Sequence, residues 1–296
     1  MDASIIICVK NGGAHLKKQL DAVANQITEY SHEIVIVNNG STDNTDQVLK
    51  EWECSSHVSV PVKIFSQPDL KGIPAVRNFA VQQAKGEVIA FCDADDEVSE
   101  GWLQSFVERI KGRMVLAGGR IESYDSKGNH LPSLFPRGLI GTSYLPHVGN
   151  CNCAVNRQLF FEIGGYDESL PRYGFEDVDF SWRVQEAGYL IEYVDDALIR
   201  FRMSDSKTSL KKKFLLGKGR VLMARRYPQY DGASYSLGYC FKKIAVITSS
   251  IFKHLARERT LNRRELSMLV AAVGNLYGSL YYSGNNKKPT PKLINS

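Results

Sequence analysis

The feature that most constrains the fold of this 296-residue chain is a repeated alternation of short apolar runs with helical patterns. Ser4–Val9 (SIIICV), Glu33–Val37 (EIVIV) and Glu87–Cys92 (EVIAFC) are runs typical of strands buried on both faces. Apolar residues at helical spacing follow them. Successive strand and helix units predict an α/β fold with a mostly parallel sheet covered by helices.

The other predicted elements continue the same alternation. They are a first helix carrying Leu16, Leu20, Val23 and Ile27, a helix near Thr45–Trp52, a strand near Val62–Phe65, a helix opened by Pro74 and a helix over Trp102–Ile110. The composition, 43% hydrophobic and 23% charged, is that of a globular protein. No repeat with a period of about 20–50 residues is present, which excludes solenoids and propellers.

Polar residues directly follow the apolar runs, where parallel sheets bind their ligands. Lys10-Asn11 follow the first run, and Asp93, Asp95 and Asp96 follow the third. Three carboxylates within four residues repel one another unless a cation or hydrogen-bond donors hold them. Mn²⁺ or Mg²⁺ would take one or two of them, with phosphate oxygens and water completing its shell. The segment therefore predicts a metal site for a phosphate-bearing substrate; the alternative is an acidic turn that caps the next helix.

The charge of the chain is divided unevenly. Residues 206–296 contain 18 Lys and Arg against three acids, whereas residues 1–205 contain 19 against 29. Lys207–Arg226 holds eight basic residues and no acid, interleaved with apolar ones. This basic amphipathic pattern predicts a peripheral contact with an anionic membrane surface; the alternative is a helix packed on the rest of the protein. No nucleic-acid recognition motif accompanies the charge, so nucleic acid is not the expected partner.

The later apolar segments Ile244–Phe252 and Leu266–Tyr282 are short of the roughly 20 apolar residues that span a bilayer. The first residues lack a secretory pattern, so we expect a cytoplasmic protein with reduced thiols. His147, Cys151 and Cys153 lie close in sequence, but a zinc site needs four well-spaced ligands, and packing in the core or in the wall of the acceptor site is the expected role.

Five ordered segments resemble the motifs of the inverting family 2 glycosyltransferases, whose fold is called GT-A. They are SIIICVKN, EIVIVNNGSTDNT, GIPAVRNFAVQQAKGEVIAFCDADD, Gly164–Glu168 and Phe175–Asp177. The resemblance covers about residues 3–203. It implies a catalytic domain over residues 1–203. The charge pattern assigns a basic helical region to residues 204–282, and the polar sequence GNNKKPTPK predicts a flexible tail over 283–296.

The resemblance also implies a donor site. Its residues would be Val9, Asn11, Asn38, Asn39, Ser41, Arg77, Asp93, Ala94 and Asp95. Asp95 is the expected metal ligand, with Asp93 nearer the ribose and sugar, and Arg77 would pair with phosphate or stack on the base. The family often has Asp where this chain has Asn38, so the base preference could differ from uracil. Ser41, Thr42 and Asp43 would either bind the ligand or cap the following helix.

On the acceptor side the resemblance implies Gly165, Tyr166 and Asp96. Asp177 would be the general base that takes the proton of the attacking hydroxyl, and Glu176 is its closest rival. The metal would offset the charge of the departing diphosphate. A late histidine of the family has no counterpart, and Arg200 or Arg202 would supply positive charge instead.

The leading hypothesis is a metal-dependent inverting glycosyltransferase, active on a glycan or lipid-linked acceptor in the synthesis of a cell-surface polysaccharide or glycoconjugate. A nucleotidyltransferase is a weaker alternative, because the first loop, KNGGAH, offers only Lys10 to hold phosphate. A binding protein that keeps the fold without catalysis is the third hypothesis, since Asn38 and the missing histidine depart from the family pattern.

Overall fold

The computed structural model describes residues 1–55, 58–132, 135, 137–171, 173–203, 209–230, 235–283 and 290–294. The strands are β1 (Ala3–Val9), β2 (His32–Asn38), β3 (Val62–Ser66), β4 (Val88–Asp93), β5 (Glu97–Val98), β6 (Val115–Tyr124), β7 (Asn152–Asn156) and β8 (Leu190–Arg202). The helices are α1 (Leu16–Ala24), α2 (Thr45–Glu53), α3 (Ile73–Gln83), α4 (Trp102–Ile110), α5 (Arg157–Glu162), α6 (Glu176–Glu186), α7 (Leu210–Arg226), α8 (Leu237–Glu258) and α9 (Arg263–Tyr281).

The described strands form one sheet in the order β3-β2-β1-β4-β7-β6-β8-β5. β1 pairs in parallel with β2 and β4, and β2 pairs in parallel with β3. β7 reverses direction against both β4 and β6, whereas β6 and β8 are parallel. The predicted α/β fold with a mostly parallel sheet and helical flanks is confirmed. The parallel strands β1, β2 and β4 bring their carboxyl ends to one edge, which is where the polar turns follow.

Helices cover both faces of the sheet, because side chains alternate between faces along each buried strand. Ile5 and Ile7 of β1 belong to the core with α1, α2 and α4. Ile6 belongs to the core with α3, α5 and α6. Burying one such side chain contributes about 2 kcal/mol. The β-branched runs therefore form central strands because neither of their faces is exposed to water.

The first helix is shorter than its apolar pattern predicts. α1 ends at Ala24, and Ile27 lies beyond it with 66% of its surface exposed. Gln26 has left the helix to bond α4, accepting the Leu103 N–H at 2.9 Å and donating to the Ser99 carbonyl at 2.8 Å. These bonds hold the chain away from a further helical turn, so the apolar spacing at Ile27 misplaced the helix end.

α7 packs on the catalytic domain through its apolar residues. Val221, Leu222 and Met223 are fully buried against Trp182 of α6. Arg226 pairs with the buried Asp167 at 2.5 Å, and the Tyr227 hydroxyl donates to Asp179 at 2.7 Å. The structure thus corrects the interfacial interpretation of residues 207–226: the described part of this segment turns these apolar residues toward protein. Residues 204–208 lie outside the described residues.

The C-terminal residues 290–294 return to the catalytic domain. Lys292 donates its N–H to Asp167 Oδ1 at 2.8 Å and accepts the Glu168 N–H at 2.9 Å. Ile294 donates its N–H to the Gly164 carbonyl at 2.9 Å and packs against the core around α3. The prediction of a flexible tail from residue 283 is therefore wrong for these five residues. The tail residues 284–289 and 295–296 lie outside the described residues.

Candidate active site

The loop after β1 and the turn after β2 bind each other. Asn11 has a left-handed backbone (φ 55°), donates its N–H to Ser41 Oγ at 2.8 Å and accepts the Thr42 N–H at 2.7 Å. Asp43 accepts the N–H groups of Gly13 and Thr45, each at 3.1 Å. Asn, Ser and Asp side chains bond nearby backbone in this way at turns and helix starts. These bonds give Asp43 a capping role at the first residue of α2, whereas Ser41 and Thr42 join the turn to the loop after β1.

Asn38 is turned into the protein. It is 2% exposed, its Oδ1 accepts both the N–H and the hydroxyl of Ser41, and its Nδ2 donates to Asp46 at 2.5 Å. Because an amide oxygen has two lone pairs, both are occupied. The prediction that Asn38 accepts from the donor base is corrected, and its role here is to shape the turn. Asn39 is likewise engaged, donating its amide to the carbonyls of Gln67 and Leu70.

The acidic turn after β4 is held from below by Gln19. This side chain is fully buried, donates to the Asp93 carbonyl at 3.0 Å and accepts the Val98 N–H at 3.0 Å. Its two bonds fix where β4 ends and β5 begins. Ala94, packed in the core on the α1 side, anchors the turn between Asp93 and Asp95.

Asp96 lies beneath this turn rather than on the acceptor side. Its Oδ1 accepts the Arg202 N–H at 2.8 Å, and its Oδ2 is buried without a hydrogen-bond partner among the described residues. Burial and the charge of Asp93 raise the pKa of Asp96 to about 9. Asp96 is therefore a neutral acid at pH 7 that joins the end of β4 to the end of β8. This placement corrects its prediction as an acceptor-side residue.

Arg77 of α3 joins the two acidic parts of the site. Its guanidinium is 7% exposed and donates to Asp93 Oδ1 at 3.0 Å and to Glu176 Oε1 at 3.2 Å. Burial would lower the Arg77 pKa, but Asp93, Tyr166 and Glu176 more than offset this and raise it. The structure gives Arg77 carboxylate partners, whereas the sequence predicted a phosphate or a base.

Glu176 and Asp177 begin α6 directly after a strained turn. Phe175 adopts a left-handed backbone (φ 77°), which costs about 1–3 kcal/mol in a residue with a side chain. Gly174 before it also has a positive φ of 80°. α7 supports this turn: a Cβ on Gly219 would lie 3.0 Å from the Phe175 ring, and one on Gly174 would lie 2.6 Å from Leu216. α7 thus helps to position Glu176 and Asp177, which we call the carboxylate pair.

The carboxylate pair is partly withdrawn from water. Burial and then the charge of Asp177 raise the pKa of Glu176, and burial raises the pKa of Asp177, while Arg77 opposes both shifts. Asp93 is close enough to raise the pKa of Asp177 as well. Asp177 Oδ1 accepts its neighbour's Val178 N–H at 2.8 Å. A carboxylate with a raised pKa is suited to accept a proton in a reaction near neutral pH.

Gly165 and Tyr166 lie in the core rather than at an acceptor surface. Tyr166 is 1% exposed, and its hydroxyl donates to Asn150 Oδ1 at 2.7 Å. Asn78 of α3 accepts the Tyr166 N–H and donates to its carbonyl, each at 2.9 Å. A Cβ on Gly165 would meet Ile294 at 2.5 Å, so this glycine is required by packing. The acceptor-side prediction for both residues is corrected.

Asp93 and Asp95 have the chemistry of a hard cation site. Asp95 is exposed, and no cation within 4 Å pairs with it among the described residues. Desolvation of the carboxyl group by the surrounding protein and the charge of Asp93 raise the pKa of Asp95. No group of three or more His, Cys, Asp or Glu able to hold a metal occurs in the part of the chain that the structure describes. Two carboxylates fit Mn²⁺ or Mg²⁺ when phosphate oxygens complete the shell.

The two arginines near the end of β8 differ in their surroundings. Arg200 is 56% exposed and faces Glu97 at 3.8 Å, on the edge formed with β5. Arg202 bonds Asp96 through its backbone, and its charge lowers the pKa of both Asp95 and Asp96 in part. His15, ahead of α1, acts on Asp95 in the same direction. Arg202 and His15 thus act on Asp95, whereas Arg77 pairs directly with Asp93 at 3.0 Å.

The cysteines take no part in this site. Cys151 and Cys153 are buried, and burial raises the pKa of both thiols, to about 12 for Cys153. Burial lowers the pKa of His147. Cys151 and Cys153 pack in the core, one of the two roles that the sequence predicts, and His147 is half-buried.

Sequence reasoning missed Gln19, Asn78 and the left-handed Phe175. Gln19 had a signal, because it falls on the apolar face that Leu16, Leu20 and Val23 mark. Asn78 directly follows Arg77, but its bond to Tyr166 joins residues 88 positions apart, which no local pattern shows.

The chain matches two described families. Residues 4–164 match Glycosyl transferase family 2, and residues 142–207 match the N-terminal domain of galactosyltransferase. The glycosyltransferase AglE of Haloferax volcanii is 28% identical over 233 residues, 74% of this chain and 72% of AglE. The chondroitin synthase of Escherichia coli is 24% identical over 66% of this chain but only 34% of the synthase. The chain thus spans about a third of that relative's length.

Solved structures share the fold at low identity. GalNAc-T7 with UDP, GalNAc and Mn²⁺ has a TM-score of 0.61 at 20% identity, covering 77% of this chain and 50% of that one. The mannosyltransferase PcManGT of Pyrobaculum calidifontis, with GDP-Man and Mn²⁺, has a TM-score of 0.60 at 16% identity, covering 93% and 87%. These structures have the GT-A fold that the resemblance implied. With more than half of its length matched by the family, this chain belongs to glycosyl transferase family 2 and is a glycosyltransferase.

Proposed function

We propose that this glycosyltransferase is metal-dependent and inverting, and that it moves a sugar from a nucleoside diphosphate to a hydroxyl of a glycan or lipid-linked acceptor. The observation that carries the proposal is the Arg77 bridge. Arg77 ties Asp93, at the end of β4, to Glu176, which is adjacent to Asp177 at the start of α6. One cation therefore sets the position of the donor-side acids relative to the carboxylate pair.

Asp177 is the proposed general base. Its Oδ1 already bonds Val178, and Oδ2 is bonded to no donor of the described residues. In the proposed step the acceptor oxygen bonds to the anomeric carbon while Asp177 takes its proton. The bond from that carbon to the diphosphate breaks, and the electron pair leaves with the nucleoside diphosphate. Positioned proton transfer of this kind contributes about 10²- to 10⁴-fold in rate.

Glu176 has a different proposed role. Its Oε1 is bonded to Arg77 and it is 8% exposed, so it holds the arginine rather than meeting the acceptor. Asp95 and Asp93 would hold Mn²⁺ or Mg²⁺, which when bound would offset the charge of the leaving diphosphate. The two structural neighbours above were solved with Mn²⁺ but with different nucleotides, UDP and GDP-Man. The base specificity of this chain therefore needs a direct experiment.

The test is release of nucleotide from UDP-, GDP-, dTDP- and CMP-sugars, with Mn²⁺, Mg²⁺ or a chelator. Slow donor hydrolysis uses water in place of the acceptor. We expect one donor to be hydrolysed in the presence of metal and about 100-fold less by Asp95→Ala. Glu108→Ala, which removes an exposed carboxylate from α4, is the control. Hydrolysis that is equal in chelator and metal, or unchanged in Asp95→Ala, would overturn the metal assignment.

A further inference from the structure

The C-terminal helices expose an unusual amount of apolar surface. Seventeen large hydrophobic residues are exposed among those that the structure describes, and twelve of them lie between residues 237 and 281. Phe252 is 65% exposed, Val246 61%, Phe241 59% and Leu280 55%. Single exposed hydrophobic side chains are ordinary, but a concentration of this kind marks an interaction surface.

The two helices that carry this surface are antiparallel neighbours. Cys240 near the start of α8 lies 3.7 Å from Ser279 near the end of α9, measured from Sγ to Oγ. Ser250 in the second half of α8 bonds Glu265 near the start of α9 at 2.5 Å. α9 is held in turn against α7 by close backbone contact, since a Cβ on Gly274 would lie 2.2 Å from the Phe214 carbonyl oxygen.

Four of the six exposed large apolar side chains of α8 lie in one stripe, and the other two, Tyr239 and Val246, lie on another side of the helix. Leu237, Phe241, Phe252 and Leu255 follow one another at helical spacing. At 3.6 residues per turn, this stripe is rotated by about 100° from Cys240, which faces α9.

On α9, Leu280, Val273 and Tyr277 are rotated in the same sense, by about 100°, 120° and 160°, from Ser279, which faces α8. Because the helices are antiparallel, both rotations lead to the same side of the hairpin. The two stripes thus form one surface, which we call the hairpin face: Leu237, Phe241, Phe252, Leu255, Val273, Tyr277 and Leu280.

Basic residues surround the hairpin face. Residues 237–281 contain seven Lys and Arg against two Glu. Lys242 and Lys253 are exposed on the flank of α8 away from α9, and Arg257, Arg259 and Arg263 are exposed where the two helices connect. Long basic side chains beside an apolar stripe that carries aromatic rings are typical of helices that lie in a membrane interface.

We propose that the hairpin face docks on an anionic lipid bilayer, with α8 and α9 lying in the interface. None of the described helices combines the length and apolar character needed to cross a bilayer. The positive charge around the hairpin face favours an anionic bilayer over other partners. A second copy would bring the same excess of positive charge, and nucleic acid forms polar interfaces that would leave Phe241 and Phe252 uncovered. Anionic headgroups pair with the basic residues while acyl chains cover the rings.

The docking would place the candidate site near the bilayer. α9 packs on α7, and α7 contacts the Gly174–Phe175 turn that precedes Glu176. The docking itself does not depend on catalysis, so its failure and a failure of the proposed transfer reaction are separate results.

The test is co-sedimentation of the full chain with vesicles of phosphatidylcholine, alone or with about 30% phosphatidylglycerol. We expect binding to the anionic vesicles, weakened by high salt. The double variant Phe241→Ser, Phe252→Ser should bind about tenfold more weakly or less. The matched control is Ile27→Ser, Leu190→Ser, which removes side chains 66% and 63% exposed in the catalytic domain and should bind as the native chain does. Lys242→Glu, Lys253→Glu should also weaken binding.

Thermal melting of each variant shows that the fold is kept, and light scattering gives the oligomeric state. Failure of the native chain to bind anionic vesicles would overturn the proposal. Equal binding by the Phe241, Phe252 variant and its control would do the same. A native dimer that the Phe241, Phe252 variant dissociates, with no vesicle binding, would assign the hairpin face to a second copy instead.

Discussion

Arg77 makes both of its ion pairs inside the protein, with Asp93 and Glu176. The Asp93 side chain is 40% exposed and the Glu176 side chain 11%, so the second pair is the more deeply buried. Removing the cation from a buried pair leaves a charge without compensation, which costs more than the intact pair contributes. The arginine is therefore needed for the stability of the site as well as for its geometry.

Arg77→Met should lower the free energy of unfolding by about 3 kcal/mol, because Glu176 would be left buried without its cation. Arg113→Met is the control: Arg113 is 44% exposed and pairs with Glu192 at the surface, where an ion pair contributes little to stability, so a much smaller loss is expected. Urea unfolding of both variants measures the difference. Equal losses would contradict the role given to the Arg77 bridge.

Asp96 predicts a pH dependence of stability. Its pKa is about 9 in the folded protein against an ordinary 3.8, so between these values the folded state holds a proton that the unfolded state has lost. Stability therefore falls as pH rises through this window. Asp96→Asn keeps an acceptor for the Arg202 N–H and removes the titration. In urea unfolding with chelator present, the variant should gain more than about 1 kcal/mol relative to native between about pH 5 and 8. If the free energies of unfolding of Asp96→Asn and the native chain change with pH in the same way, the prediction is contradicted.

Single residues were predictable where the chemistry is local. Asp93, Asp95 and Asp177 carry acidic motifs that remain in the proposed site. Tyr166 was assigned to the acceptor side because the sequence does not show its bonds to Asn78 and Asn150. Asn38 was misassigned for a similar reason, since its partners Ser41 and Asp46 saturate it after the turn has folded.

At the scale of elements, α7 links the C-terminal region to the site. Gly219 of α7 lies under the Phe175 ring, and Phe175 holds the left-handed turn from which α6 begins. A bulky residue keeps a positive φ only when the surrounding structure holds it there. The contact with α7 holds this turn in place. It therefore helps to position Glu176 and Asp177, although α7 lies outside the site.

Gly219→Val should lower kcat for donor hydrolysis about tenfold or more, because its side chain would push Phe175 and displace the start of α6. The KM for donor should change little, since the nearest neighbours of a Cβ on Gly219 are Phe175 and Pro171 rather than the acidic turn after β4. Gly238→Ala is the control, because nothing lies within 4 Å of a Cβ there. Gly219→Ala should give an intermediate effect. A folded Gly219→Val protein with native kcat would show that α7 does not position the carboxylate pair.

The elements of the catalytic half were largely predictable, because β1, β2, β4 and α4 have apolar patterns set by burial on known faces. The C-terminal helices were less so. α7 has basic and apolar residues mixed around its axis, and its packing depends on glycines that let backbones approach, as at Gly217, where a Cβ would lie 2.2 Å from the Ala271 carbonyl oxygen. Such contacts leave no periodic signal.

At the scale of the whole molecule, the last described residues tie the chain back to its middle. Residues 290–294 form two backbone–backbone hydrogen bonds to the segment 164–168 and a third from the Lys292 N–H to the Asp167 carboxylate. Ile294 packs beside Gly165 and is partly buried. The same segment contains Asp167, which holds Arg226 of α7. The C-terminal residues and α7 thus fasten one loop from two sides.

Deleting residues 284–296 should lower the free energy of unfolding by about 2 kcal/mol, since these bonds and the burial of Ile294 are lost. Lys292→Ala is the control: it keeps the backbone bonds and removes only a side chain that is 70% exposed, so little loss of stability is expected. The measurement is thermal melting of both variants, compared with the native chain. A truncated chain that melts with the native chain would contradict a structural role for residues 290–294.

The central claim is that Asp177 takes a proton in a single inverting displacement. The most direct measurement is the anomeric form of the sugar first released when water replaces the acceptor, followed by proton NMR before the anomers equilibrate. We predict the configuration opposite to that of the donor, and hydrolysis about 100-fold or more slower in Asp177→Asn. Release with the donor's own configuration, or native rates in Asp177→Asn, would contradict the account.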